Sequence, residues 1–556
     1  MNTKISVYCE NLHKYINVEG GSSLSDLYEN IKTDLGFEPI SARVNNKNEA
    51  LCYAIFQPKK VEFLPITSPS GERSYIRSLC MVMYLAISRL EPKAHLCIEH
   101  SISHGYYCTL GPEVECTPEL VDRLKAEMRR IVDANLPFIR HQALSSDVLP
   151  LFQRQGLEDK VLLLSTTHNI YTTYYELDGI YDSYYGTLAP RTGMLNVFDL
   201  RPYQSGFLLV GFDPKDISKT PDHISQDKMF KAFTDYVNFN NIVGVSTVGQ
   251  LNLAVERKLS ADLINVSEAL HEKALARISD EIMRRYRDGG ARIVLISGPS
   301  SSGKTTTTKR LGIQLMTNLL KPKLISLDDY FVDRHLTPRD ETGDFDYESL
   351  YALDIDQFNR DLTDILDGKE VELPSYNFET GSRQYKGNKI QLGPDSILLI
   401  EGIHGLNPKL TEHIPEKMKF RLYVSALTTI NLDSHNWIPT TDNRLLRRII
   451  RDHKYRGTSA VDTIRRWPSV RRGEEKWIFP YQENADATFN SSLLYELAVM
   501  REFAEPVLKH VPHDCTEYAE AYRLLKFLNY FEPIPLTQIP STSLLREFLG
   551  GSSFKY

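Results

Sequence analysis

Residues 292–308 read RIVLISGPSSSGKTTTT. Within them, the apolar run Ile293–Ile296 has the makeup of a strand buried on both faces of a parallel sheet. It runs into Gly298-Pro299-Ser300-Ser301-Ser302-Gly303-Lys304-Thr305, which satisfies every fixed position of the phosphate-loop pattern G-x-x-x-x-G-K-[ST]. Residues 306–320 then carry helical periodicity. Phosphate binding requires this order. Glycines let the backbone curl until its N–H groups converge on phosphate oxygens, and the helix N-terminus adds the positive end of its dipole. Lys304 would reach the β- and γ-phosphates and the Thr305 hydroxyl a Mg²⁺ ion, with Thr306 closing the nucleotide-binding run. The bare pattern arises by accident in roughly one chain in fifty of this length, and the flanking strand and helix make accident much rarer. The competing reading is a Gly/Ser-rich turn between a strand and a helix.

Downstream, two further apolar runs end in acids. Lys323–Leu327 leads to Asp328-Asp329, and Ser396–Ile400 leads to Glu401-Gly402. Acids at the C-terminal ends of strands beside a phosphate loop line the crevice of an open α/β sheet. There Asp328 would take a proton from an attacking hydroxyl, and Glu401 would hold Mg²⁺ directly or through water. For either acid alone, a loop carboxylate or a helix cap is an equal reading; two together favour function. Asn443–His453, NRLLRRIIRDH, reads as a helix with Arg444, Arg447, Arg448 and Arg451 on one face and leucines and isoleucines on the other. A solvated basic face is one reading. A lid whose guanidinium forks close over the phosphates is the favoured one.

In the order GPSSSGKT, SLDDYF (326–331), DFD (344–346), LPSYNFETGSR (373–383), ILLIEGI (397–403), DNRLLRRIIRD (442–452) and ENADATFNSS (483–492), residues 290–500 resemble the phosphoribulokinase/uridine kinase family. The resemblance implies Asp328 as general base, with Lys304, Arg447 and Arg451 as its catalytic companions, and Asp346 on the ribose hydroxyls. It implies Tyr376, Phe378 and Arg383 in the nucleoside pocket, Thr305 and Glu401 at Mg²⁺, and Arg444, Arg448 and Arg456 in the lid. ATP and Mg²⁺ are the implied cofactors, and a small hydroxylated acceptor, uridine or cytidine first, the implied partner. Gly381 stands where that family carries a base-contacting histidine, so a larger pocket is expected and a non-pyrimidine acceptor stays open.

The remaining chain is long. At 556 residues several domains are expected, roughly three or four. The net charge of −7 provides no global basic field for nucleic acid or anionic membrane. Seven cysteines without a C-x-x-C pair suggest reduced thiols in a cytoplasm, and no run approaches the ~18 apolar residues of a membrane span. The N-terminus, MNTKISVYCENLHKY, lacks the apolar core of a secretory signal.

Residues 1–66 read as short alternating strands around one helical segment, Ser25–Leu35, capped by Ser22 or Ser23. EGGSSLSDLYENI followed by ARVNNKNEAL resembles the TGS domain, a β-grasp module of threonyl-tRNA synthetases. EHSISHGYYCTL (99–110), the helical LVDRLKAEMRRIVDANLPF (120–138) and DGIYDSYYGTLAPRTG (178–193) make residues 72–210 resemble the editing domain that follows it. The zinc ligands of that domain are missing: Ser78–Met83 has no histidine, and Tyr184 and Leu188 replace the later Cys and His. His95, His100 and His104 read as ordinary histidines before they read as a metal site, and the tyrosines 171–185 as core and half-buried strand before an RNA-stacking surface. Residues 211–250 are less periodic, with FDPKDISKTPDHIS (212–225) reading as an irregular connection, and one or two helices follow over 250–287. The expected architecture is a multidomain α/β chain: β-grasp (1–66), α+β editing-like module (72–210), connection and helical linker (211–288), a P-loop parallel sheet flanked by helices (289–500) and a helical extension (501–556). An RNA-binding or regulatory protein is the alternative from another class.

Overall fold

The computed structural model describes residues 4–341 and 343–556. Residues 1–3, which open the expected first domain, lie outside the described residues.

The sheet at the centre of the C-terminal half has five strands, β1 (Ile293–Ser297), β2 (Lys321–Ser326), β3 (Ser396–Glu401), β4 (Lys419–Ser425) and β5 (Ala487–Asn490). Their order is β2-β3-β1-β4-β5, and every neighbouring pair is parallel. The period of two along each strand explains its two-sided burial. Val294, Ile296, Ile397 and Leu399 belong to one core, whereas Ile293, Leu295, Leu398 and Ile400 belong to the core on the opposite face. Each such side chain contributes roughly 1.5–3 kcal/mol by leaving water.

The helices around the sheet include α1 (Ser260–Arg287), α2 (Lys304–Thr317), α3 (Thr440–Arg456), α4 (Ala460–Trp477), α5 (Glu496–Lys509) and α6 (Tyr518–Leu528), with the helix Ile355–Leu366 on the opposite face. Helix α2 follows β1 directly through the glycine loop, as the sequence implies. Buried Arg310 of α2 pairs with Glu272 of α1 at 2.7 Å, joining the helix to its neighbour.

In the N-terminal half, Lys4–Leu64 contains a five-stranded sheet crossed by a helix at Leu24–Glu29. Ser23 caps that helix in a capping box with Asp26. The expected single helix 25–35 is two pieces, because it breaks at Asn30 and resumes at Lys32–Leu35. The next region holds the long helix Pro69–Leu90, a four-stranded sheet and a three-stranded sheet. The irregular connection at 212–225 holds neither helix nor named strand, whereas the less periodic stretch after it contains a helix, Asp227–Val243. Its buried face is thin (Met229, Phe233 and Asn240), which is why its periodicity is weak. No helix among the described residues is long and apolar enough to cross a membrane.

The two halves are locked by a buried charge network. Lys160 lies 2.8 Å from both Asp182 and Asp433, and His435 lies 2.8 Å from Asp182. Burial alone would pull the Lys160 ammonium down, yet the two carboxylates hold it above its ordinary value.

Candidate active site

The glycine loop is held from outside by side chains that take its carbonyls. Arg444 Nε donates to the Ser300 carbonyl at 2.9 Å, Arg447 Nη1 to the Ser301 carbonyl at 3.4 Å, and the Ser491 hydroxyl to the Ser302 carbonyl. Gly298 must lack a side chain: a Cβ there would lie 2.0 Å from the Val424 carbonyl of β4. Lys304 begins α2 and donates to the Pro299 carbonyl at 3.2 Å. Burial pulls its ammonium down, and Glu401, Asp328 and Glu547 pull it back up.

Strand ends bring the acids to the same place. The Thr305 hydroxyl donates to Glu401 Oε1 at 3.1 Å. Burial, then the charge of Asp328, pushes the Glu401 carboxyl up to about 7. Asp328 sits exposed in the short turn of helix after β2, and its charge is felt at Lys304, Glu401 and Arg456. A hydroxyl beside a half-buried carboxylate, next to a second acid and a phosphate loop, is a hard-oxygen donor set that fits Mg²⁺.

The arginine helix needs correction. The sequence places four arginines on one closing face, but α3 is buried on several sides, with Leu445, Leu446 and Ile449 at 1% exposure or less. Arg444 (1% exposed) is spent on Glu474 and Arg447 (0%) on Glu496. Both therefore brace the loop, and Arg447 is not free to reach a transferring phosphate. Arg448, Arg451 and Arg456 remain. All three share one carboxylate in direct contact, Asp452, at 3.1–3.3 Å, an excess of guanidinium over carboxylate that Glu348 and Asp328 offset in part from farther away. Arg448 Nη1 reaches the Ser300 hydroxyl at 2.9 Å, so this excess stands over the loop. The neighbouring Arg451 charge, together with burial, lowers Arg456 to about 10.

The acceptor side is a hairpin, Val371–Asn377 with Ser382–Ile390. Tyr376, Phe378 and Phe331 form an aromatic cluster with centroids 5.0–6.1 Å apart. Asp329 Oδ1 accepts the Tyr376 N–H at 3.1 Å and ties the hairpin to the turn that carries Asp328. Arg383 pairs with Asp354 at 2.8 Å, and burial raises the Asp346 carboxyl. The larger pocket expected at Gly381 is not there. Its φ is +71°, and a Cβ would lie 2.8 Å from both Cβ and Nε of Arg334, which fills the space. The Arg334 Nε is buried without a hydrogen-bond partner among the described residues.

Sequence reading did not find Arg334, because nothing in its local pattern differs from an ordinary loop arginine. Nor did it find the C-terminal segment over the loop. Leu544 packs where a Cβ on Gly303 would lie, 2.6 Å away, and Glu547 accepts from the Thr306 N–H at 3.2 Å. The Tyr556 hydroxyl lies 2.8 Å from Thr306 Oγ1. Elsewhere, Tyr184 and Leu188 are core, Ser78 bonds to the backbone of Ser74 and Ala189, and His100 stacks on Phe233 at 3.8 Å. No group of three or more metal-ligating side chains is present among the described residues.

The family model of the phosphoribulokinase/uridine kinase family matches residues 293–495, the span that holds the glycine loop, Asp328, Glu401, the acceptor hairpin and the arginines of α3. Uridine kinases of Staphylococcus aureus strains JH9 and MW2 are each 32% identical to this chain over 198 residues, 35% of this chain and 84% of theirs. The chain belongs to the phosphoribulokinase/uridine kinase family. As such it is a kinase, an ATP-dependent phosphotransferase with a hydroxyl acceptor. Among solved structures, the kinase is similar to D-glycerate 3-kinase from Cryptococcus neoformans (TM-score 0.27, 12% identity, covering 40% of this chain and 92% of that one).

Proposed function

We propose that the chain transfers the γ-phosphate of ATP to the 5′-hydroxyl of uridine or cytidine. The observation that carries this reading is the convergence of Asp328, Lys304 and the Thr305–Glu401 pair, 3.1 Å apart, at the C-terminal ends of β1, β2 and β3. Asp328 accepts the proton of the attacking hydroxyl as the oxygen moves onto phosphorus. Lys304 and the guanidinium excess of Arg448, Arg451 and Arg456 balance the charge that spreads over the equatorial oxygens. Thr305 and Glu401 would hold Mg²⁺, which when bound neutralises phosphate charge. Asp346, Tyr376 and Phe378 seat the acceptor, the aromatic faces stacking on its ring.

A second acceptor class is favoured by one observation. Arg334 fills the space at Gly381, so a guanidinium stands where a base-reading histidine is expected. That suits a hydroxyl compound offering a carboxylate or phosphate oxygen. Both readings keep the enzyme cytoplasmic and nucleotide-dependent. The N-terminal half is proposed as TGS-like and editing-like modules that no longer hydrolyse through zinc, with RNA contact through their surface.

The test is incubation with γ-labelled ATP, Mg²⁺ and a panel of nucleosides, sugar acids and sugar phosphates. Labelled uridine or cytidine monophosphate supports the first reading, and label only in an acidic alcohol supports the second. No labelled product from any alcohol refutes both.

A further inference from the structure

A cavity of about 610 Å³ lies between the two halves of the chain, far in sequence from the glycine loop and sharing none of its residues. Its wall combines helix Pro69–Leu90, the strand Tyr171–Leu177, the loop 183–187, the loop 432–436 and α6. Seven tyrosines and seven cationic side chains line it, against three acids. The pairing of those charges decides what the cavity prefers. Lys160 is held by Asp182 and Asp433, Lys509 by Glu505, Arg523 by Asp442, and Arg73 by Glu520.

Arg77, Arg140 and Lys526 have no carboxylate within ion-pair distance among the described residues. Arg77 is the decisive one. It is only 6% exposed, lines the cavity, and makes no hydrogen bond among the described residues. Its guanidinium lies 4.7 Å over the Tyr185 ring. The guanidinium lies against Gly186, where a Cβ would fall 2.1 Å from Arg77 Nη1 and displace it. A buried guanidinium is normally retained only against a carboxylate, a phosphate or a metal-bound anion. Here no carboxylate among the described residues comes within ion-pair distance of Arg77, and the one further acid of the wall, Glu49, faces Lys526 and Arg140 instead.

We propose that this cavity is a binding site for a small molecule carrying both a phosphate and a planar ring, of the class of nucleoside 5′-monophosphates. Arg77 takes the phosphate in a fork, with Arg140 and Lys526 adding charge at the mouth. The tyrosines supply ring faces: Tyr171 is 60% exposed at the rim, a cost in water that stacking removes. The volume suits a ligand of that size. The site also borders the catalytic half through ion pairs. Arg73 contacts Glu520 at 3.2 Å, Glu520 contacts Arg523, and Arg523 holds Asp442 by two bonds of 2.6 and 2.8 Å. Asp442 lies in the first turn of α3, the helix that presents Arg448 and Arg451.

The test is photolabelling of the full chain with 8-azido-AMP and 5-azido-UMP, followed by peptide mapping. The expected label falls on segments 171–187 or 518–530, is competed by the parent monophosphate but not by the nucleoside, and is unchanged in Lys304→Ala. Arg77→Gln should cut it at least tenfold. Label confined to residues 298–309 or 376–383, equal labelling by azido-nucleosides, or full labelling of Arg77→Gln overturns the proposal. If Arg77→Gln does not fold, the exposed substitutions Arg140→Gln and Lys526→Gln must each lower the labelling, and no drop in either overturns it as well.

Discussion

The carboxylate of Glu547 accepts hydrogen bonds from both the backbone N–H and the hydroxyl of Thr306, at 3.2 and 2.6 Å. Thr306 is the third residue of α2, so an anion already sits on the positive end of that helix. A triphosphate seeks the same donors. Replacing Glu547 with Ala should therefore tighten ATP binding by about 1 kcal/mol, roughly five-fold, in calorimetry with a non-hydrolysable analogue. Unchanged or weaker binding would show that the carboxylate does not compete with phosphate.

The arginines of α3 separate by their partners. Arg447→Ala leaves Glu496 buried and uncompensated, and should cost roughly 3–5 kcal/mol of folding stability in urea titration. Arg451→Ala removes one of three cations around Asp452 at a partly exposed site. It should cost under ~1 kcal/mol in stability while lowering kcat, since the loss falls on transition-state charge.

Gly381→His would restore the family's histidine by sequence alone. The backbone at φ +71° and the Arg334 side chain both oppose it. The expectation is a loss of about 1–3 kcal/mol in stability and no gain in uridine turnover. A gain would place the acceptor elsewhere than beside Arg334.

Buried histidines, His100 and His271 among them, shape the acid limb of stability. Burial pushes His100 and His271 down to about 3, so both are neutral in the folded chain at neutral pH. The unfolded chain protonates them near pH 6.5. Their contribution is therefore complete above that value and lost as pH falls, by about 1.4 kcal/mol per pH unit for each group, until pH nears 3. Among the described residues His100 has no hydrogen-bond partner for either ring nitrogen, and it stacks flat on Phe233. His100→Phe should raise stability by about 1 kcal/mol and flatten the slope between pH 6 and 4, checked by urea midpoints across that range.

What the sequence conveyed, and what it did not, follows from distance along the chain. The glycine loop and the strand-end acids are local patterns: an apolar run, a turn and one residue at a fixed offset place Lys304, Thr305, Asp328 and Glu401 together. The braced arginines depend on Glu474 and Glu496, 30 and 49 residues from their partners, and helical spacing alone cannot tell a buried guanidinium from a solvated one. Arg334 and Gly381 meet only because the hairpin folds back. Glu547 reaches Thr306 across 241 residues. The helix at Asp227–Val243 was hidden because its buried stripe is short.

The measurement that tests the central claim is single-turnover phosphotransfer by Asp328→Asn with γ-labelled ATP and the acceptor the wild-type chain uses. ATP affinity should stay within about two-fold of wild type while the transfer rate falls roughly 10²–10⁴-fold, the loss of a positioned base. A variant that transfers phosphate at the wild-type rate would contradict the assignment of Asp328 and the mechanism built on it.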